Sequence, residues 1–172
     1  DTIRNLVREV NIICKLNYPS IIKFIGFSLN DFEGNSKPVL ITEYMPNGSL
    51  SDLIEQERRS ICNPKYNFTR KLIIIFGITS AMSYLHAHNI IHRDLKPDNI
   101  LIDSNLNPKI TDFGLSKFNY QDQDSITNSS KKWIKGALIY IPPETFDDWE
   151  FTQKGDVYAF SLILYEVVTN ER

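Results

Sequence analysis

The sequence has few cysteines and no excess of positive charge, and both absences narrow the possible functions. Cys14 and Cys62 are the only cysteines among 172 residues, and neither belongs to a CxxC or Cys/His pattern. A zinc site and a disulfide framework are therefore not expected, and two reduced thiols fit a cytoplasmic protein. The 19 Lys and Arg against 21 Asp and Glu give a net charge of -2 without a basic stripe. We expect no nucleic acid partner and no anionic membrane partner.

Long hydrophobic runs are missing as well, and we expect no signal peptide. The apolar stretch 72–78 is short and follows Arg70 and Lys71, so we expect no membrane-spanning helix. The hydrophobic fraction of 42% and the charged fraction of 23% are ordinary for one globular domain. Helical patterns already run at residue 3 and almost to residue 172, so we expect the chain to begin and end inside secondary-structure elements.

Apolar spacing and turn residues predict a mixture of helices and strands. Helical periodicity covers residues 3–16, 69–89 and 157–168, and a short helix is predicted from residue 50, with Ser49 as its N-cap. Two hairpins are predicted, one from residues 21–27 and 39–44, the other from residues 100–102 and 109–111. His86 and His88 lie two residues apart and would point to different helix faces, so we expect structural roles rather than metal binding.

Two polar motifs flank the second predicted hairpin. Residues 92–99 read His-Arg-Asp-Leu-Lys-Pro-Asp-Asn and precede its first strand, whereas residues 112–114 read Asp-Phe-Gly and follow its second strand. Because the strands of a hairpin run in opposite directions, both motifs are expected at the same end of it. We therefore expect one site.

The residue types in these motifs suit phosphoryl transfer, which needs metal ions, an in-line hydroxyl and a group that orients this hydroxyl. Asp94 can accept the hydroxyl proton, and Lys96 can place positive charge beside the transferred phosphate. Asn99 and Asp112 offer the oxygen ligands that Mg²⁺ prefers. The motifs therefore predict a catalytic site with a metal-binding half.

Residues 92–99 and 112–114 match the catalytic-loop and metal-loop signatures of protein kinases, and the chain resembles that family. The resemblance implies an α+β, two-lobe fold. Residues 1–45 would form a partial N-lobe and hinge, residues 46–172 a partial C-lobe, and residues 112–144 the activation segment. It also implies transfer of the γ-phosphoryl group of ATP, with Mg²⁺, to a Ser/Thr hydroxyl of a protein substrate.

The resemblance assigns further residues, chiefly on the nucleotide side. Glu9 matches the helix glutamate that pairs with a phosphate-binding lysine, and Thr42 the residue that guards the back pocket. Glu43 and Met45 would bind adenine through backbone groups, and Leu101 would pack beneath it. Lys96 before Pro97, together with residues 43–50, resembles Ser/Thr kinases of the tyrosine-kinase-like group.

Supporting positions follow from the same resemblance. Asp156 matches an acid that holds the catalytic-loop backbone, and Arg93 could clamp a phosphate placed on the activation segment by an upstream kinase or by autophosphorylation. The kinase apolar column would consist of Ile13, Phe24, His92 and Phe113. The candidate phosphorylation sites are Ser125, Thr127, Ser129 and Ser130.

The sequence also departs from the family pattern. Ala137 stands where Ser/Thr kinases usually carry threonine, and the sequence contains neither a GxGxxG loop nor the strand lysine that would meet Glu9. We therefore expect the 172-residue chain alone to be poorly stable and inactive. A pseudokinase-like scaffold stays open as an alternative. A kinase-like enzyme acting on a small molecule is disfavoured by the long activation segment.

Overall fold

A computed structural model of the chain describes residues 2–118, 138–145 and 151–171. Within these ranges the helices are α1 (Thr2–Ile13), α2 (Leu50–Arg58), α3 (Phe68–Ala87) and α4 (Gln153–Thr169). The strands are β1 (Phe24–Ser28), β2 (Val39–Thr42), β3 (Ile90–Ile91), β4 (Ile100–Ile102), β5 (Pro108–Ile110) and β6 (Lys117–Phe118). Single turns of 3₁₀ helix occupy Pro97–Asn99 and Leu138–Tyr140. The expected α+β composition is confirmed.

The described strands form three antiparallel pairs, β1 with β2, β3 with β6 and β4 with β5. Both predicted hairpins are therefore confirmed, but the first begins later than expected. Residues 21–23 do not continue β1, because Ile21 bridges to Ile110 and the Ile22 N–H donates to the Ile110 carbonyl at 2.9 Å. This segment pairs with β5 first, at residues 21–22, and with β2 afterwards. The apolar residues along it give no sign of the change of partner.

Helix α3 is the central element of the core. By length and composition alone it could cross a bilayer, contrary to the expectation that no stretch would be long and apolar enough. Core helices of globular proteins also pass this test, and α3 packs on β5, β3 and α4. Its buried residues are Lys71, Ile74, Gly77, Ile78, Ala81, Met82 and Leu85. The one charged member, Lys71, has its ammonium 2.7 Å from Glu57 of α2.

A glycine sets the distance between α3 and the second hairpin. A β-carbon on Gly77 would lie 2.5 Å from Cγ of Pro108 and 3.1 Å from the Ser20 hydroxyl. Both distances are shorter than ordinary van der Waals contact, so only glycine fits without movement. The close approach brings the segment at Ser20 and the start of β5 onto one face of α3.

Helix α2 begins where the sequence predicts and runs further. Ser49 caps it, since its hydroxyl accepts the Asp52 N–H while the Asp52 carboxylate accepts the Ser49 N–H, and this reciprocal pair is a capping box. Apolar residues Leu50, Leu53 and Ile54 point into the core. The helix is therefore fixed at its first turn, directly after the predicted hinge.

Much of the predicted activation segment, including Ala137, lies outside the described residues. The phosphorylation candidates in that part are Ser125, Thr127, Ser129 and Ser130. The boundary between the lobes at residue 45 stays a prediction.

Candidate active site

Asp94 lies at the centre of a group of donors. Its Oδ2 is 2.7 Å from the Lys96 ammonium and accepts a 2.9 Å hydrogen bond from the Asn99 side-chain amide. The same amide donates to the Asp94 carbonyl at 2.8 Å. The Asn99 side-chain nitrogen donates both of these hydrogen bonds, and the oxygen of the same amide is the atom that can bind a metal. The loop therefore places a proton acceptor in contact with a cation and with the amide that offers a neutral oxygen ligand.

The backbone of this loop is held from α4. Asp156 is 3% exposed, and its two carboxylate oxygens accept the backbone N–H groups of His92 and Arg93, each at 2.9 Å. His86 of α3 donates to the same carboxylate at 2.9 Å. Arg93 has φ of +71°, a left-handed conformation that is costly for a side chain with a β-carbon. Asp156 thus holds the backbone of this loop, as the family resemblance implied, and its hydrogen bonds help to stabilise the strained conformation of Arg93.

The two motifs meet through the β4–β5 hairpin. The Thr111 N–H donates to the Asn99 carbonyl at 3.0 Å, and Asp112 is the residue after Thr111. The His92 ring joins the motifs as well, because it bonds to the Thr111 carbonyl at 3.0 Å and packs edge-on against Phe113 at 5.3 Å. His92 and Phe113 are fully buried. The prediction that both motifs lie at the same end is confirmed.

Glu9 of α1 lies beside Asp112. Burial raises the pKa of the Glu9 carboxyl above its usual range, and the negative charge of Asp112 raises it further, while a hydrogen bond from the Phe113 N–H acts in the opposite direction. Glu9 therefore contacts the Asp-Phe-Gly motif, since its carboxylate accepts the Phe113 N–H. Its predicted pairing with a lysine stays a prediction.

The donor set suits Mg²⁺ bound together with phosphate rather than a metal held by protein alone. Asp112 supplies a carboxylate and Asn99 an amide oxygen, the hard ligands that Mg²⁺ prefers. In the described residues no three His, Cys, Asp or Glu side chains converge to hold a metal ion. Since Mg²⁺ is commonly bound by one or two carboxylates plus substrate phosphates, this small set fits the ion.

The residues predicted to bind adenine follow β2 or lie in β4. After β2, the chain pairs with β4 through the Asn47 N–H to the Ile102 carbonyl, at 3.3 Å, and the Ile102 N–H to the Gly48 carbonyl, at 2.9 Å. This pairing brings Met45 and Leu101, both partly buried against the core, into the same region. Thr42 ends β2 and is paired with Phe24. The predicted adenine-binding role of these residues stays a prediction.

Sequence reasoning missed three contacts of the site. His86 binds Asp156, so this structural histidine supports the catalytic loop. The Arg93 guanidinium lies 5.2 Å from the centre of the Phe151 ring. The Glu43 carboxylate lies 3.1 Å from the Lys109 ammonium. The only signal in the sequence was the charge of Lys109, which lies on a predicted strand next to the Asp-Phe-Gly motif. A charge at this position does not indicate which residue it pairs with.

Comparison with known proteins decides the family. The model of the family "Protein tyrosine and serine/threonine kinase" matches residues 1–172. The chain belongs to this kinase family. Its membership agrees with the described fold and with the contacts between the two motifs.

Relatives of this chain include proteins of Arabidopsis thaliana and of Dictyostelium discoideum. The chain is 38% identical over 166 residues to the G-type lectin S-receptor-like serine/threonine-protein kinase SD1-1 of Arabidopsis thaliana. The aligned part covers 95% of the chain and 19% of this relative. The chain is 36% identical over 168 residues to the cysteine-rich receptor-like protein kinase 14 of the same plant, covering 96% and 24%. A Dictyostelium discoideum protein named as a probable serine/threonine-protein kinase is 36% identical over 167 residues, covering 96% and 15%. The chain thus spans a quarter or less of each of these relatives.

Proposed function

We propose that the protein to which this chain belongs is an ATP-dependent protein kinase of the tyrosine-kinase-like group, transferring the γ-phosphoryl group to Ser/Thr hydroxyls. The observation that carries the proposal is the contact of the Asp94 carboxylate with Lys96 and Asn99. The Asn99 carbonyl in turn accepts the N–H of Thr111, the residue before Asp112. We further propose that it acts in the cytoplasm. Both described cysteines are free thiols, which suits that reducing compartment.

We infer a task for each of these residues. Asp94 orients the substrate hydroxyl and accepts its proton as the oxygen bonds to the γ-phosphorus and the bond to the ADP oxygen breaks. Lys96, in contact with Asp94, places positive charge beside the moving phosphoryl group. Asn99 and Asp112 would hold Mg²⁺, which neutralises phosphate charge when bound. The protein mainly positions the reactants, and Asp156 keeps the loop in place for it.

The test is phosphorylation by the full-length protein of Ser/Thr and Tyr peptides, with and without Mg²⁺. We expect Mg²⁺-dependent transfer to Ser/Thr, and we expect Asp94→Ala to lower kcat by about 10²–10⁴-fold because the proton acceptor is lost. Asp98→Ala is the matched control, since Asp98 is exposed in the same loop and its removal should leave kcat unchanged.

The outcomes separate the candidates. Activity that survives Asp94→Ala would contradict the role of Asp94. Nucleotide binding without transfer would favour the scaffold, the second candidate, which the Ala137 substitution in the sequence supports. Transfer to a small molecule and to no peptide would point to the remaining alternative.

A further inference from the structure

We propose that Ser116 is a positioning residue for the catalytic loop, because its hydroxyl fixes the peptide group that joins His92 to Arg93. Ser116 is fully buried, and its Oγ donates a hydrogen bond to the His92 carbonyl at 3.1 Å. The other end of the same peptide group is the Arg93 N–H, which donates to the Asp156 carboxylate at 2.9 Å. The peptide group is thus held at its carbonyl by the segment that follows the Asp-Phe-Gly motif and at its N–H by α4.

The short β3–β6 pair places Ser116 opposite this peptide group. Strand β3 ends at Ile91, β6 begins at Lys117, and these two residues are partners in the antiparallel pair. His92 is the next residue beyond β3 and Ser116 the last before β6, so the two face each other where the pair would continue. The Ser116 N–H also donates to the Phe113 carbonyl at 3.1 Å. Ser116 therefore connects the Asp-Phe-Gly motif to the catalytic loop.

This peptide group needs to be held because its conformation is strained. Arg93 has φ of +71°, which is costly for a residue with a β-carbon. Turning the peptide group over would bring φ of Arg93 to a negative value and relieve the strain. The same rotation would point the carbonyl away from Ser116 and the N–H away from Asp156. Both side chains are buried, so neither lost hydrogen bond could be replaced by one to water, and both bonds oppose the rotation.

Catalysis depends on this peptide group under the proposed function, on which the role of Ser116 rests. Asp94 follows Arg93, and the Asp94 N–H donates to the His92 ring at 3.3 Å. The backbone that carries the proton acceptor is thus continuous with the peptide group that Ser116 holds. Without the Ser116 hydroxyl, Asp156 alone opposes the rotation, so the loop spends part of its time turned over. Asp94 is then correctly placed for a smaller fraction of the time, and kcat falls.

The experiment compares Ser116→Ala and Ser116→Cys with wild type in the full-length protein, using a Ser/Thr peptide, ATP and Mg²⁺. Counting the nucleotide-binding sites gives kcat per folded molecule. We expect Ser116→Ala to lower kcat by about fivefold or more, with KM for ATP changed less than about twofold, because the residues predicted to bind adenine do not include Ser116. Ser116→Cys keeps a weak donor of similar size and should give a kcat between those of Ser116→Ala and wild type.

Ser161→Ala is the matched control. The Ser161 hydroxyl also donates to a backbone carbonyl, that of Tyr158 at 2.7 Å, but Ser161 is exposed on α4. Its removal should leave both kcat and KM unchanged. If Ser116→Ala does not fold, Ser116→Cys decides, with kcat expected to lie at least about twofold below that of wild type.

Smaller or misplaced effects would overturn the proposal. A fall in kcat of less than about fivefold in Ser116→Ala, or an equal fall in Ser161→Ala, would mean that the Ser116 hydroxyl does not position the loop. A rise in KM for ATP with kcat unchanged would assign its effect to nucleotide binding instead.

Amide hydrogen exchange separates this proposal from the proposed function. If the wild type transfers no phosphate, the proposed function fails, but Ser116→Ala should still speed exchange of the Arg93 amide by about fivefold or more. Exchange of the Leu85 amide, in the buried core of α3, should stay the same, which shows that the fold is retained. Unchanged exchange at Arg93, or equal acceleration at Arg93 and Leu85, would contradict the role of Ser116.

Discussion

Carboxylates organise both sides of the site, but their surroundings differ. On the catalytic-loop side, Asp156 is almost fully buried and accepts two backbone N–H groups and a histidine. On the side of the predicted hinge, Glu43 is partly exposed and Asp52 is exposed. A buried donor that loses its acceptor cannot turn to water, whereas an exposed one can. We therefore expect the loop side to be rigid and intolerant of change, and the hinge side to be adjustable.

The strongest way to break this comparison is Asp156→Ala. The change leaves the backbone N–H groups of His92 and Arg93 buried without their acceptor, so we expect the free energy of unfolding to fall by about 2–5 kcal/mol. Urea unfolding measures the effect. Asp98→Ala, an exposed aspartate in the loop, should change this free energy by less than about 0.5 kcal/mol. Equal effects of the two changes would contradict the special role of burial.

The contact between α3 and the second hairpin gives an intermediate effect. Gly77→Ala would place a carbon 2.5 Å from Pro108, and overpacking of this kind costs about 1–3 kcal/mol, against a gain in helix propensity of about 1 kcal/mol. We expect net destabilisation in thermal unfolding. Gly26→Ala is the control, because nothing lies within 4 Å of the position that its β-carbon would take. If Gly77→Ala were as harmless as Gly26→Ala, the close approach would be wrong.

The smallest effect is expected at the exposed cap of α2, with Asp52→Ala. Hydrogen bonds from the Ser49 hydroxyl and then from the Ser49 N–H lower the pKa of the Asp52 carboxyl, against a small opposing effect of burial. A lowered pKa in the folded state stabilises the fold above the ordinary aspartate range and loses this effect as the pH falls through the folded value. We expect a loss of about 0.5–1 kcal/mol at pH 7, reduced by solvent screening.

Unfolding at a series of pH values checks this prediction. The difference between Asp52→Ala and wild type should shrink as the carboxyl becomes protonated, that is, from about pH 4 downward. A difference that is constant with pH would mean that the loss comes from packing and not from the charged cap.

Much of the fold followed from local signals. The α2 cap, the turn residues of both hairpins and the periodicity of α1, α3 and α4 are properties of neighbouring residues, and each was found close to its predicted position. The site motifs were predictable for the same reason, since residues 92–99 and 112–114 carry their chemistry in fixed spacing. The change of strand partner at Ile21 was not predictable, because an apolar residue suits β5 and β2 equally.

The sequence by itself determined which groups we propose for the chemistry, because Asp94, Lys96, Asn99 and Asp112 are set by residue type and spacing along one short stretch of chain. Only the tertiary structure decided which distant groups support them. Asp156 reaches the loop from α4, His86 reaches Asp156 from α3, and Glu43 reaches Lys109 across two hairpins. The physical reason is that a hydrogen bond or ion pair depends on separation in space, and folding brings together charges whose order in the sequence gives no sign of their pairing.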